Sequence, residues 1–454
     1  MMPDTTRMSD WSEAIGASLE GGDAAFDGVF TDSRAPRPGA VFVALRGPRF
    51  DGHGHVQAAM EAGAVGAMVE TIQPVALPQW RVDDTRAGLG RLGTAWRQAW
   101  PGRLGALTGS NGKTTVKEMV AAILGEMGPA LATEGNLNND IGVPLTLLRL
   151  RPEHQRAVVE MGANHPGEIA ALTELARPEV GMVTNAGPAH LEGFGDVPGV
   201  AKAKGELFAG LPAGGTAVIN CDDRFAEQWR QQAGHCAVLG FGRDAAADVR
   251  VQGEQALADG GQALVLATPV GPVATSLPLP GAHNALNAAA AAAMAIALGA
   301  EAEEVATGLA RVRAVGGRLD GRPGRNGARI IDDSYNANPG SLAAGVAVLA
   351  ALPGRRLLVL GDMGELGDGA RRWHREAGNL AREAGVDAFY GIGPLAAEAV
   401  DGFGTAGHHF EQADTLAEAV AAELDNNTTV LVKGSRAMGL DRVVAHLTGA
   451  RGEH

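Results

Sequence analysis

Only two cysteines, Cys221 and Cys236, occur in 454 residues. They supply neither a disulfide framework nor a metal-binding spacing, which fits a reducing, cytoplasmic setting. Basic residues are in deficit: 38 Lys and Arg against 52 Asp and Glu leave a net charge of −14. Binding a phosphate backbone needs basic stripes, and none is present, so no nucleic-acid partner is expected. A local nucleotide site is untouched by that argument. Long apolar runs are also missing. The longest charge-free apolar stretch, 288–300, is too short for a bilayer and reads as a buried alanine-rich helix, so no membrane segment is expected. Asp4, Asp10 and Glu13 interrupt the N-terminus, which does not read as a signal peptide. What is present is a chain 45% hydrophobic, with material for two to four packed domains.

The most informative stretch is Gly109-Ser110-Asn111-Gly112-Lys113-Thr114-Thr115. It follows an apolar run, Leu104 to Leu107, and opens a pattern with Val116, Met119, Val120, Ile123, Leu124 and Met127 on one face of a 3.6-residue period. Gly128-Pro129 stops that helix. A strand, a glycine turn and a helix N-terminus form a phosphate cradle, because backbone N–H groups and the helix dipole both face the anion. Lys113 is placed for the β/γ-phosphates and the Thr114 hydroxyl for Mg²⁺. The usual motif has a glycine five residues before Gly112, where this chain has Leu107.

Around the cradle the residues leave alternatives open. Ala157 to Met161 reads as a buried strand ending in Glu160, a carboxylate suited either to solvent or to Mg²⁺. Val180 to Thr184 is a further strand, and His190 lies on the loop after it. Val200 to Phe208 reads as a helix whose Lys202 and Lys204 fit a solvated face. Asn284 and Asn287 share one face at the start of the alanine-rich helix, where they cap it or read a base edge; capping accounts well only for Asn284. Near the N-terminus Ser33, Arg34, Arg46 and His53 lie on loops beside strand ends, as ordinary turn residues or as holders of a phosphorylated ligand. From Gly316-Gly317-Arg318, a turn or hinge, repeated strand–helix units argue a parallel sheet. Gly391-Ile392-Gly393-Pro394 imitates a dinucleotide fingerprint, but its proline and the better phosphate site elsewhere argue against NAD. Gly361 to Gly367 is a second glycine cluster after a strand.

Together with Asn136 to Pro144, Glu160 to His165, Ala189 to Gly195, Asp333 to Asn338 and Lys433 to Met438, the phosphate loop resembles the Mur ligase family, which also lacks the earlier glycine. The resemblance covers nearly the whole chain. It implies an α/β protein of three domains: a small α/β UDP-sugar-binding domain (1–84), a central parallel-sheet P-loop ATPase domain (85–314) and a Rossmann-like C-terminal domain for the incoming dipeptide (315–454). The implied activity is ATP-dependent addition of D-alanyl-D-alanine to UDP-MurNAc-tripeptide through an acyl phosphate, by a cytoplasmic monomer. Two Mg²⁺ ions are implied, the second held by Glu160, His190 and a CO₂-derived carbamate on Lys204. Conversion to a carbamate makes chemical sense, since an ammonium has only donors and cannot ligate a cation. Asn284 and Asn287 fall in the family's adenine-side motif, with His283 beside them. Arg318 and Asp333 match residues that reach the nucleotide on closure, and Ser33, Arg34, Arg46 and His53 fall in the UDP-sugar segment. Sister ligases are disfavoured by the lack of a dinucleotide-like first domain and of an Asp-Asn-Pro-Arg signature. Folylpolyglutamate synthase-like chemistry and a nucleotide-dependent switch are the alternatives.

Overall fold

The computed structural model describes residues 6–258 and 260–449. Three large sheets follow one another along the chain. The first comprises β1 (Ser18–Glu20), β2 (Val29–Phe30), β3 (Val41–Val43), β4 (Gly66–Val69) and β5 (Gln79–Arg81), in the order β1-β5-β4-β3-β2. Its strands are parallel except for β1, which runs antiparallel along β5. Val41, Phe42 and Val43 are all buried because both faces are covered: Val41 and Val43 pack toward Trp80 and Trp96, and Phe42 toward Val56 and Ala59.

Helix α1 (Thr85–Ala99) ties this sheet to the next. The Asp84 carboxylate caps it by accepting from the Ala87 N–H at 2.7 Å. The Trp96 indole donates to the Leu150 carbonyl at 3.1 Å. One apolar cluster runs from Met8 through Trp80, Trp96 and Trp100 to Val159 and Leu207, so the first and middle sheets share a core.

The middle sheet has nine strands: β6 (Arg103–Thr108), β7 (Ala130–Ala132), β8 (Arg156–Glu160), β9 (Val180–Val183), β10 (Thr216–Asn220), β11 (Ala237–Gly242), β12 (Val249–Ala256), β13 (Gln262–Ala267) and β14 (Val273–Leu277). Their order is β7-β8-β6-β9-β10-β11-β12-β13-β14. After β6 the chain moves to one side for β7 and β8, then crosses β6 to place β9. The carboxyl end of β6 is therefore a topological switch point, where ligands bind in open α/β sheets. Pairing is parallel through β12, and β12 to β14 form an antiparallel meander that sequence reading missed. Helix α2 (Lys113–Met127) follows β6. The expected helix over 200–208 starts earlier, as α3 (Val197–Lys204), with Asp196 as cap, and a separate turn (Glu206–Ala209) follows. Helix α4 (Ala282–Ala297) is the alanine-rich one; small side chains let it lie close against α2 and strands β9 to β12.

The last sheet comprises β15 (Asp320–Pro323), β16 (Arg329–Asp333), β17 (Arg355–Gly361), β18 (Ala388–Ile392), β19 (Gly407–Phe410) and β20 (Thr428–Lys433), ordered β15-β16-β20-β17-β18-β19. Only β15 is antiparallel. The dinucleotide-like turn after β18 is already filled: the Asp362 carboxylate accepts from the Leu395 and Ala396 N–H groups at 3.0 and 2.7 Å. Among the described residues no helix is long and apolar enough to cross a membrane.

Candidate active site

The carboxyl ends of β8, β6 and β9 stand side by side and open into a cleft of about 1220 Å³, roofed by the third sheet. Leu107 belongs to β6, paired with Glu160 on one side and Met182 on the other, and is buried in the core. A glycine there would gain nothing. The close approach falls instead at Gly109, φ +148°, where a Cβ would lie 1.9 Å from the Thr184 Oγ1. The Thr184 hydroxyl donates to the Asn111 carbonyl at 2.7 Å, and Asn185 brackets Asn111 through its side-chain amide. Helix α2 begins after Gly112 with no side-chain cap. The N–H groups of Lys113, Thr114 and Thr115 thus lack intrahelical partners and face the cleft end, the arrangement that receives an anion. Lys113 Nζ meanwhile donates to the Gly109 carbonyl at 2.7 Å, and burial lowers its pKa.

Beside this loop Glu160 is 2% exposed. Its Oε1 accepts from Asn138 Nδ2 at 2.8 Å, while Oε2 is buried without a partner. A carboxylate oxygen orphaned in this way suits a cation. His190, at φ +55°, follows β9 and touches the Glu365 carboxylate through Nδ1. Burial pushes its pKa down, opposed by Glu365 and aided by Lys113 and Lys204. Lys204 is not on a solvated face as its helix pattern allowed. It is 1% exposed, with Nζ 3.3 Å from the Ala163 carbonyl and 5.3 Å from the Phe194 ring centroid. Burial, then Lys113, pushes it down to about 7. Lys202, two residues away, is exposed. Among the described residues no three His, Cys, Asp or Glu side chains gather as a metal group.

Across the cleft, Asn284 does not cap α4: its Nδ2 donates back to the Pro280 carbonyl at 2.8 Å and its Oδ1 accepts from Asn287 at 3.1 Å. Asn287 in turn closes on the phosphate loop, its Oδ1 lying 2.7 Å from where a Gly112 Cβ would stand. His283 is driven down to about 4 by burial and by Lys433. From the third sheet, Asp333 accepts from Lys433 at 2.5 Å and from the Leu319 N–H at 3.2 Å, and burial raises its pKa against the pull of Lys433. Arg318 stacks on Tyr335 at 4.4 Å and Arg436 lies 4.9 Å from the same ring. Asn338 Nδ2 donates to Asn111 Oδ1 at 2.8 Å, a direct bond from the third sheet's lobe to the phosphate loop. Asn138, Thr184, Tyr335, Asn338 and Glu365 were not singled out individually by sequence reading; apart from the segments they sit in, nothing in the sequence marks them.

The N-terminal candidates do not line this cleft. Arg34 is exposed and forks onto Asp32; Arg46 bridges Asp51 and Glu70; Ser33 is half-buried. His53 sits apart from Arg34 and Arg46 in burial. It is buried, with Nδ1 2.6 Å from Asp51 and Nε2 accepting from the Glu70 N–H.

Comparison with known proteins agrees with this geometry. Residues 107–295 match the family described as "Mur ligase middle domain", and residues 317–436 match "Mur ligase, glutamate ligase domain". The UDP-N-acetylmuramoyl-tripeptide–D-alanyl-D-alanine ligase of Escherichia coli (strain K12) is 44% identical, over 97% of this chain and 98% of that protein. A crystal structure of MurF from Acinetobacter baumannii superposes with a TM-score of 0.92 at 34% identity, over 98% of this chain and all of that one. MurF from Thermotoga maritima in complex with ADP gives 0.82 at 27% identity, over 93% and 97%. With both domain families matched in chain order and a relative aligned almost end to end, this chain belongs to the Mur ligase family.

Proposed function

We propose that this protein is an ATP-dependent amide ligase that joins D-alanyl-D-alanine to UDP-MurNAc-tripeptide in peptidoglycan precursor synthesis. The observation that carries the reading is the pairing, in one cleft, of an uncapped helix start with a buried, partnerless carboxylate oxygen on Glu160. The first is chemistry for a triphosphate, the second for a cation beside it. The near-full-length relatives are named as dipeptide ligases, which favours this reading over folate chemistry or a switch.

In this scheme a carboxylate oxygen of the tripeptide attacks the γ-phosphorus of ATP, the bond to the β-bridging oxygen breaks, and ADP leaves. The amine of the dipeptide then attacks the acyl carbon, and phosphate departs as the amide forms. Such transfer depends on alignment and charge neutralisation more than on covalent help. Lys113 and the α2 amides hold the β/γ-phosphates. Thr114 would hold one Mg²⁺, and Glu160, His190 and carbamoylated Lys204 the other. Bound there, Mg²⁺ supplies Lewis-acid neutralisation of phosphoryl and carboxylate oxygens. Asn284 and Asn287 serve the adenine side, and Arg318 and Asp333 complete the nucleotide site from the third sheet. The reading assigns residues 1–84 to the UDP-sugar, with Ser33, Arg34, Arg46 and His53 as contacts, 85–314 to ATP and 315–454 to the dipeptide. It also implies a cytoplasmic monomer.

The test is phosphate release with ATP and UDP-MurNAc-tripeptide, with and without D-alanyl-D-alanine. Turnover that requires all three, and that Lys113→Ala abolishes, is the expected result. Release indifferent to the dipeptide, or a Lys113→Ala variant near wild type, would refute the assignment.

A further inference from the structure

We propose that Glu365 is a positioning residue that sets the His190 imidazole for cation binding and so links that site to docking of the third sheet. The inference rests on the ligase reading above, since it concerns the same site.

Glu365 lies in the loop after β17, on the third sheet's side of the cleft, whereas His190 follows β9 of the middle sheet. The carboxylate contacts Nδ1 of the imidazole. The same two segments meet a second time, where the Glu192 N–H donates to the Glu365 carbonyl at 3.4 Å. Both residues adopt positive φ, +55° at His190 and +61° at Glu365, a conformation that side chains other than glycine rarely hold. Such backbone persists where its surroundings over-determine it, and it gathers at functional sites. Here two strained residues from different sheets touch one another.

The loop carrying Glu365 is itself pinned. His374, 0% exposed, accepts from the Met363 N–H at its Nε2 (2.9 Å) and donates from Nδ1 to the Ala370 carbonyl (2.7 Å). Glu365 is thus presented on a fixed stem rather than a floppy one. The Glu365 carboxylate lies against Nδ1, an atom buried without any other partner, and leaves Nε2 as the ring nitrogen for a cation. A carboxylate behind a ligating histidine fixes the tautomer and raises the basicity of the other nitrogen. Because the carboxylate arrives on another sheet, cation affinity and docking are coupled, and each strengthens the other reciprocally.

The experiment titrates Mn²⁺ onto the ADP-loaded protein, without turnover, by electron paramagnetic resonance, for wild type, Glu365→Ala and Glu365→Gln. Ligation rates against Mg²⁺ are measured alongside. In Glu365→Ala one Mn²⁺ site should weaken by ~10–100-fold and the half-saturating Mg²⁺ should rise in parallel. Glu365→Gln keeps the shape and one acceptor oxygen and should lose affinity by a smaller, measurable factor. Mn²⁺ affinity equal to wild type in Glu365→Ala overturns the proposal even if the rate falls, because the residue would then be merely structural. Should Glu365→Ala not fold, unaltered affinity in the isosteric Glu365→Gln overturns it equally. A wild-type protein that makes no amide, yet whose Mn²⁺ site weakens in the variants, would sink the ligase reading and leave this one standing.

Discussion

Two lysines two positions apart illustrate what a side chain's address does to its chemistry. Lys202 and Lys204 read alike in sequence, yet the rotation of α3 leaves the first in solvent and seals the second behind Ala163 and Phe194. An amine pushed by burial down to about 7 is roughly half free base near neutral pH, the form that adds CO₂. Lys204→Ala should therefore reduce ligation by at least ~10-fold, the scale set by loss of a cation-orienting group. Added formate or acetate, filling the vacated space with a carboxylate, should recover part of the rate, and phosphate release reads both effects. A Lys204→Ala variant as active as wild type would rule out the carbamate. At the same scale, the nucleotide loop was legible because a glycine-lysine-threonine run between a strand and a periodic helix has a specific physical use. His53 shows the limit of such reading, because a loop histidine near candidate phosphate ligands looks the same in sequence whether its nitrogens are free or, as here, bonded to Asp51 and the Glu70 amide.

Elements were legible where burial imposes a clear period. The strands around β6 and the helix after it follow from apolar runs and a 3.6-residue stripe. The meander β12 to β14 was not, because only one face of it is buried and its alternation breaks: the register shifts between Val251 and Gly253. The start of α3 was missed although Asp196 followed by Pro198 is a good capping signal, since the apolar stripe begins only at Val200. The loop between β6 and α2 makes a sharper statement. Gly109 combines φ +148° with the absence of room, its hypothetical Cβ falling onto the Thr184 hydroxyl. Gly109→Ala must displace Thr184, which holds the Asn111 carbonyl. We expect the KM for ATP to rise by at least ~10-fold, as a misplaced positioning element does, while the melting temperature changes little. An unchanged KM would show that the loop tolerates the shift.

Across the whole molecule, the middle and last sheets meet through polar groups. His283 on α4 faces Lys433 at the end of β20, and its pKa in the fold is about 4, below an ordinary histidine's ~6.5. The fold therefore prefers the neutral ring. That contribution is complete above pH 6.5 and drains away as pH falls from 6.5 toward 4. At pH 5 the loss is at most roughly 2 kcal/mol, and less to the extent that water screens this partly buried ring. Between pH 7 and pH 5 the melting temperature of His283→Asn should fall less than that of wild type; equal falls would assign the acid sensitivity elsewhere. Strand–helix alternation made the last parallel sheet readable, the glycine-lysine-threonine run marked the middle one, and the division into three came from the family resemblance. How the third sheet meets the others was not, because the Asn338–Asn111 hydrogen bond and the Glu365–His190 contact join residues 227 and 175 positions apart.

The tryptophan-lined core that runs unbroken from Met8 to Leu207 has no counterpart on the other side of Val312, where the apolar clusters stop and begin afresh. Parting the last lobe from the rest wets amides, an imidazole and carboxylates, groups that water solvates readily, together with a few apolar side chains such as Val348 beside Gly281. Swinging away is accordingly cheap and repeatable, which suits a catalyst that must admit three reactants and discharge three products in every cycle.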